Sequence, residues 1–568
     1  MADAGAPDLG PPPELGPDDA GPPDLGPLDL GPEDLGPEDL GPEDLGPPDM
    51  ELPPLRDPRF VDVSAVAGFD HDQDPNIPGT CTDPRGLCGE GWQTGGAAAG
   101  DVDGDGWPDV YFTVMGGQDR LYLNRRDGTF EDVSEAWGIT LFNSTSGVAM
   151  HDLDRDGDLD IYVNSYGSTR HYYYENVGGR FVERGLFYDA TPPLRRYYQG
   201  QSVGFGDVDG DGWADLYSVE WLFDYFGTGT PPSETMLLRN ELDAARPRFV
   251  NVTDEAGVGA DGWPTTHGQV GTFALTPVFT DLDDDGLQDL YVAADFGASK
   301  LFWNEGDGTF FDGTELAEVN QATNAMGVAV GDIDLDGDLD LYVTSIAWQE
   351  EEDKAFDDRG NRLYLNQGDR RFTEEAFDRG LHWGHWGWGV AFVDLDHDGD
   401  PDVVSTSGYN ARPDGRELYY ENDGTAHFTE RGAEVGFGEW HEGRALVLLD
   451  YDRDGDSDVL VVRYDDAPLL YRNDLPRRTH WVRVRVFDER GADALGARVI
   501  VRRGDDFWLH EVRASGAFNA SHEPWIDVGL GPVDGTPCTV SVEVNFPDGE
   551  FQRETVACND WHEFHAAE

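Results

Sequence analysis

Seven times the chain spells Asp-x-Asp-x-Asp-Gly-x-x-Asp, a spacing that gathers hard oxygen donors around one point. Calcium takes six to eight oxygens from carboxylates, backbone carbonyls and water. Asp at positions 1, 3 and 5 turns three carboxylates inward, glycine at 6 permits the reversal, position 7 offers its carbonyl, and Asp at 9 closes the shell. The first three sets are Asp101, Asp103, Asp105, Trp107, Asp109; Asp152, Asp154, Asp156, Asp158, Asp160; and Asp207, Asp209, Asp211, Trp213, Asp215. The next two are Asp281, Asp283, Asp285, Leu287, Asp289 and Asp332, Asp334, Asp336, Asp338, Asp340. The last two are Asp394, Asp396, Asp398, Asp400, Asp402 and Asp450, Asp452, Asp454, Asp456, Asp458. In each set the fourth residue named enters through its backbone. These sets predict about seven Ca2+ ions, one per loop, that staple loops and take no part in catalysis. Four carboxylates repel one another without metal, so folding and calcium binding are expected to be coupled. The affinity expected is that of extracellular modules, roughly 10⁻⁴–10⁻³ M. An EF-hand shares the first six positions but needs a bidentate Glu at position 12 between two helices. Position 12 here is Phe112, Val163, Ser218, Val292, Val343, Ser405 or Val461, which are strand residues without a carboxylate.

Strands must hold these loops. Each loop follows a small or apolar run, such as Gly95-Gly-Ala-Ala-Ala99 or Gly327-Val-Ala-Val330, and precedes an alternating one, such as Val110-Tyr-Phe-Thr113 or Leu341-Tyr-Val-Thr344. An apolar-aromatic segment ending in Asn comes next (Leu121-Tyr-Leu-Asn124, Leu301-Phe-Trp-Asn304, Leu363-Tyr-Leu-Asn366), then a Gly-rich turn and Phe130, Phe310 or Phe372. Four strands in a period of about 50 to 60 residues describe a β-propeller blade. The seventh repeat stops after Leu470-Tyr-Arg-Asn473, and its missing strand has a counterpart in Phe60-Val-Asp-Val-Ser64. Residues 59–65 are therefore expected to pair into the last blade and leave no open edge. The fold class expected is all-β: a seven-bladed propeller over residues 58–475, a small antiparallel β domain over 479–568, and a disordered acidic stalk over 1–57. In that stalk Leu-Gly-Pro recurs with Asp and Glu between, a composition that cannot build a core.

The 114 acidic against 39 basic residues give a net charge of −75, which excludes nucleic acid and anionic surfaces as partners. Cys81 with Cys88 and Cys538 with Cys558 form two local pairs, read as disulfides of an oxidising compartment. No apolar run is long enough to span a membrane. The start of the chain shows no basic and apolar leader, so an export signal is expected upstream of it or removed.

The seven loops with their flanking strands resemble the FG-GAP/VCBS repeats of integrin α-subunit propellers and bacterial exported proteins. The tail resembles the ASPIC/UnbV domain through Leu495-Gly-Ala-Arg-Val499, Val528-Gly-Leu-Gly531 and Phe546-Pro-Asp-Gly549, with Phe546 in place of the usual Trp. Together they are similar to the architecture of the cartilage acidic protein family. The resemblance implies calcium-binding loops and an extracellular setting, and no settled activity.

The reading for function is a secreted or surface-displayed calcium-binding propeller that binds an extracellular protein or glycan, or acts as a scaffold, with the stalk a possible tether. The alternatives are a glycan lyase or hydrolase using the propeller channel and a purely structural surface protein. No Gly-x-Ser-x-Gly, HExxH or Walker loop is present, and no catalytic residue or organic cofactor is assigned. The aromatic run His382-Trp-Gly-His385-Trp-Gly-Trp388-Gly is either a sugar-stacking or metal-binding patch or an innermost strand packed between blades. Arg503-Gly-Asp505 spells an adhesion tripeptide expected about once by chance. Insertions at 70–94, 221–235 and 346–360 are the places to seek a partner surface.

Overall fold

The computed structural model describes residues 59–71, 73, 93–166, 170–191, 199–223, 235–242, 246–265, 268, 271–347, 360–409, 415–438, 440–464, 466–476, 479–533 and 537–567. The acidic stalk, Cys81 and Cys88, and most of the three insertions lie outside the described residues.

The strands up to Asn473 group into seven four-stranded antiparallel blades, the third and fourth joined into one sheet where Trp221 pairs with Phe273, and a short ribbon of Gly117–Gln118 with Phe142–Asn143 lies outside them. Blade one is typical: Ala97–Gly100, Asp109–Phe112, Arg120–Asn124 and Phe130–Asp132 run from the innermost strand outward. The innermost strands of the next six are Thr145–His151, Gly200–Gly206, Gly271–Thr280, Val328–Gly331, Gly387–Val393 and Gly443–Leu449. Each touches the next, and the seventh touches the first, so the blades close a ring. In blade seven the outermost strand comes from the front of the chain: Phe60–Asp62 pairs antiparallel with Leu469–Asn473. Closure thereby joins residues far apart in sequence.

The ring is tight because small residues line it. A Cβ at Gly147 would fall 2.2 Å from the Gln201 carbonyl, and one at Gly327 2.2 Å from that of Trp388. Farther out, apolar clusters sit between neighbouring blades. Ala98, Tyr111, Val148 and Ile161 join blades one and two, for instance, and Val278, Tyr291, Val330 and Leu341 join four and five. Alternate residues of each strand serve opposite neighbours, so both faces of a blade are apolar.

The tail builds two further sheets. In one, Thr479–Phe487 lies between Ile526–Pro532 and Trp561–His565; the other runs Asp506–Glu511, Arg498–Arg503, Thr539–Asn545, Phe551–Ala557. Val482, Val484, Val499, Val501, Val542 and Phe546 form its core, and the Cys538–Cys558 disulfide joins two paired strands. One strand departs from the antiparallel expectation: Trp561–His565 pairs parallel with Thr479–Phe487. Alternation of apolar residues encodes which face is buried but not strand direction. Here the chain leaves one sheet after Ala557 and enters the other.

Candidate metal loops and the tail domain docked on them

Every Asp loop leaves the innermost strand of its blade, and the ninth residue begins the second strand. The loops therefore crowd one face of the ring. Their internal hydrogen bonds are the same in all seven. Position 1 accepts the backbone N–H of position 5 on one oxygen and that of the glycine at 6 on the other; in the first loop Asp101 does so at 2.9 and 2.8 Å. Position 5 accepts from the N–H of position 7, as Asp105 does from Trp107 at 2.9 Å. Position 9 accepts from position 2, as Asp109 does from Val102 at 3.0 Å. Glycine at 6 has positive φ in each, 88° at Gly106 and 102° at Gly399, which is the conformational reason for that residue.

Position 3 differs between loops: Asp103 accepts the N–H of Asp105 and Asp396 that of Asp398, each at 3.2 Å. One carboxylate oxygen of each of Asp154, Asp283, Asp334 and Asp452 is buried and accepts no hydrogen bond. These oxygens face others: Asp101, Asp103 and Asp109 hold carboxylate oxygens within 4.8 Å of one another, as do Asp152, Asp154 and Asp160, or Asp332, Asp334 and Asp336. Burial raises the proton affinity of the set. Asp109 is pushed up to about 8, Asp154 and Asp332 to about 7, and Asp207 and Asp281 to about 6, desolvation being the main cause in each. The position-9 carboxyls of Asp160, Asp215, Asp289, Asp340, Asp402 and Asp458 are held well above the ordinary range by the same burial. An all-oxygen donor set, converging and short of positive charge, fits a hard divalent cation. Arginines approach some loops: Arg126 Nε donates to Asp105 at 2.8 Å, and Arg370 pairs with Asp283.

A residue type with no role assigned from sequence links the loops into a circle. The Asn near the end of each third strand donates its backbone N–H to the position-9 Asp of its own blade, at 2.8 Å for Asn124 and Asn176. Its side-chain amide reaches the position-2 carbonyl of the preceding loop: Asn176 to Val102 at 2.9 Å, Asn366 to Leu282 at 2.8 Å, Asn473 to Leu395 at 2.9 Å. Asn124 closes the circle on Tyr451 at 2.8 Å. The signal in the sequence was the recurrence of Asn at that place in every repeat. Replacing Asn366 by Ala is expected to cost about 1–3 kcal/mol in denaturant unfolding, because the Leu282 carbonyl then stays buried without its donor. A cost under about 0.5 kcal/mol would show that the circle does not bind blades together.

The tail docks on this same face. Glu511 accepts the N–H of Asp281 at 3.0 Å and Glu523 that of Asp450 at 2.9 Å. Arg498, from the Leu-Gly-Ala-Arg-Val motif, donates to the Asp281 carbonyl at 2.8 Å. Trp508 Nε1 donates to the Gly399 carbonyl at 2.6 Å, and Arg155 pairs with Asp488. Arg483, itself buried, donates to Asp527 at 3.1 Å and to Ser457 at 2.6 Å. Between Glu511 and Glu523 the chain dips into the ring. Ala520–Ser521 pairs parallel with Ala97–Gly100, Ala514 bridges Phe205, Asn519 exchanges hydrogen bonds with Ser202, and Leu448 donates to His522 at 3.1 Å. Phe518 is wholly buried among Trp221, Phe273, Leu275, Met326, Ile346 and Trp388. The centre of the ring is filled by this insert.

The aromatic run divides between its two readings. Trp388 is buried inside the ring, Trp386 stacks on Tyr409 at 4.0 Å, and Trp383 is exposed. In the Arg503-Gly-Asp505 turn, Arg503 is tied to the Leu530 carbonyl at 2.5 Å. Among the described residues no helix is long and apolar enough to cross a membrane.

Comparison with known families agrees with this architecture. The FG-GAP-like repeat matches residues 101–163, 152–218, 281–343 and 354–405, and the ASPIC and UnbV family matches 488–564. The chain is a propeller of FG-GAP-like repeats carrying a C-terminal ASPIC and UnbV domain. It is homologous to cartilage acidic protein 1: to that of Homo sapiens at 25% identity, covering 73% of this chain and 70% of the relative, and to that of Xenopus tropicalis at 23%, covering 72% and 71%. Solved structures are more distant. An exotype rhamnogalacturonan lyase aligns with a TM-score of 0.37 at 13% identity over 66% of this chain and 72% of that one. A PQQ-bound aldose sugar dehydrogenase from Streptomyces coelicolor aligns at 0.32 and 14%, over 59% and 96%. Likeness at that level carries no argument about activity.

Proposed function

We propose that the protein is an extracellular calcium-stiffened binding and scaffold module whose seven Asp loops each take one Ca2+. The observation that carries this is the buried, unpartnered position-3 oxygen in four of the loops, on Asp154, Asp283, Asp334 and Asp452, set among carboxylates that are costly to leave charged together. The side chains at positions 1, 3, 5 and 9 and the carbonyl at 7 would hold the ion. Its chemistry would be charge neutralisation. The homology to cartilage acidic proteins and the Cys538–Cys558 disulfide support an exported, oxidising setting.

The test is metal content and stability of the purified chain. Equilibrium dialysis followed by elemental analysis is expected to give about seven calcium ions per chain, with millimolar magnesium failing to displace them. A content of one or none at millimolar free calcium would sink the proposal and leave the acidic loops as solvated turns.

A further inference from the structure

The insert that dips into the ring from Glu511 to Glu523 has two limbs, and they do not close over every blade. The outgoing limb reaches blade five, where Arg513 donates to the Val330 carbonyl at 2.7 Å. The returning limb reaches blade seven, where the Leu448 N–H donates to His522 Nδ1 at 3.1 Å and the Glu523 N–H to the Leu448 carbonyl at 3.0 Å. Among the described residues, no hydrogen bond joins either limb to residues 390–393 of blade six, which lies between them. A cavity of about 200 Å3 remains there, walled by the innermost strands of blades five and six, by Leu448 and by both limbs. We infer that this cavity binds a small monocarboxylate with an apolar body, its carboxylate held by Arg513, His510 and His522. The site goes beyond the calcium reading and does not rest on it.

The polar wall has more donors than acceptors to meet them. Asp332 and Asp394 belong to the Asp loops, and every other acid in the wall already has its cation. Glu511 pairs with Arg513 at 3.2 Å, Glu523 with Arg453 at 2.7 Å and Asp527 with Arg483 at 3.1 Å. The donors are not used up. The half-buried His510 ring makes no hydrogen bond among the described residues. His522 spends Nδ1 as an acceptor, so Nε2 carries the hydrogen, again with no partner among the described residues. Arg513 uses Nη1 on Glu511 and Nη2 on Val330 and keeps its Nε–H, and Arg483 Nε is buried without a partner. An oxygen-rich anionic head satisfies such a surplus of donors through charge-assisted hydrogen bonds.

Charge and size narrow the class. Burial, and after it the Arg513 charge, hold both His510 and His522 down at about 4, so neither ring is a cation at neutral pH. One guanidinium edge and two neutral imidazole N–H groups suit a single negative charge better than the two of a phosphate dianion. A volume of about 200 Å3 is well above the roughly 10–15 Å3 that one water needs. It is below the roughly 300–1,000 Å3 of pockets for drug-sized ligands, so the occupant is small. Val328, Val330, Val393 and Leu448 give the cavity an apolar side, which a hydrocarbon body covers and a phosphate leaves wet. The net charge of −75 repels any anion at long range, but salt screens that field beyond about 8 Å, and contacts inside the cavity decide.

The experiment uses the full chain in millimolar calcium, titrated with straight-chain monocarboxylates from acetate to octanoate and with benzoate. Binding is followed by calorimetry and by tryptophan fluorescence, Trp508 and Trp525 being in the cavity wall. The primary amides of the same acids and inorganic phosphate are the controls. At least one monocarboxylate is expected to bind, affinity rising with carbon number until the cavity is full, and its amide and phosphate to bind about tenfold more weakly or worse. His510→Phe keeps a ring in place and removes the N–H, and Arg513→Gln removes the charge; each should weaken binding by about tenfold or more. Arg513 also ties the insert to Val330, so both variants are carried through the calcium melt, and His510→Phe decides the matter if Arg513→Gln does not fold. If no monocarboxylate binds a chain whose calcium melt is intact, the site is overturned and the calcium reading stands. Binding that survives His510→Phe and Arg513→Gln lies elsewhere on the chain and overturns it as well. An amide or phosphate that binds as tightly as the acid overturns the ligand class.

Discussion

In excess chelator the unfolding midpoint is expected to fall by about 10 °C or more, and calcium, not magnesium, to restore it. A site at a tenfold excess over its Kd contributes about 1.4 kcal/mol. Seven such sites contribute about 10 kcal/mol, comparable to the whole margin of roughly 5–15 kcal/mol by which a domain is folded. The chelated chain is therefore expected to keep only a small part of the stability of the calcium-loaded one. Selectivity follows from geometry, since a loop of six to eight flexible oxygens suits calcium, whereas magnesium demands a smaller octahedron and keeps its water.

The pH dependence has a definite sign. Buried loop carboxyls have folded-state values raised to about 8 at Asp109 and Asp456, and about 7 at Asp154 and Asp332, chiefly by desolvation. A raised carboxyl stabilises the metal-free fold fully only below the ordinary carboxylate range. That contribution is lost as pH rises through the raised value. The metal-free protein should thus lose stability between about pH 4 and pH 8, while calcium affinity grows over the same interval as protons leave. The gap between calcium-loaded and chelated melts should be wider at pH 8 than at pH 5. A gap that is flat, or that shrinks with rising pH, would mean that the loops do not hold metal.

Much of this was legible because it is local and repeated. A loop of nine residues, with four carboxylates at fixed offsets, gathers oxygen donors around one point without any knowledge of the fold. The flanking alternation names strands, and the count of repeats names blades. The seam at Phe60 was legible for the same reason: its residues match a motif seen elsewhere in the chain. What escaped were contacts that no period carries. The amide of Asn176 finds the carbonyl of Val102 in the preceding blade, a relation between repeats and not within one. The residues from Glu511 to Glu523 have no repeat partner at all, and nothing in their composition says that they leave a β domain to enter a ring. Asp295 and Asn324 belong to different blades and meet only because the ring brings adjacent entry loops together.

The insert is where a single side chain should matter most. Phe518→Ala in the full chain is expected to cost about 3–5 kcal/mol, the range for removing a fully buried aromatic ring whose neighbours cannot collapse. Its neighbours cannot do so here: Trp221, Phe273, Leu275, Met326, Ile346 and Trp388 are held by blades three to six, so a cavity would remain. The loss should fall on docking of the tail more than on the blades, whose cores lie farther out and do not include Phe518. Limited proteolysis in calcium is therefore expected to cut the variant between residues 511 and 525 while the blades resist. The wild-type chain, with Glu511, Asn519 and Glu523 hydrogen-bonded to the propeller, should stay whole under the same treatment. Chelator should open that segment in the wild type too, because Glu511 and Glu523 bind the first Asp N–H of two loops whose shape the ion would fix. Equal resistance of variant and wild type would show that the insert is held by its two glutamate clamps alone. Cleavage of blades and insert together would show that the ring depends on its plug.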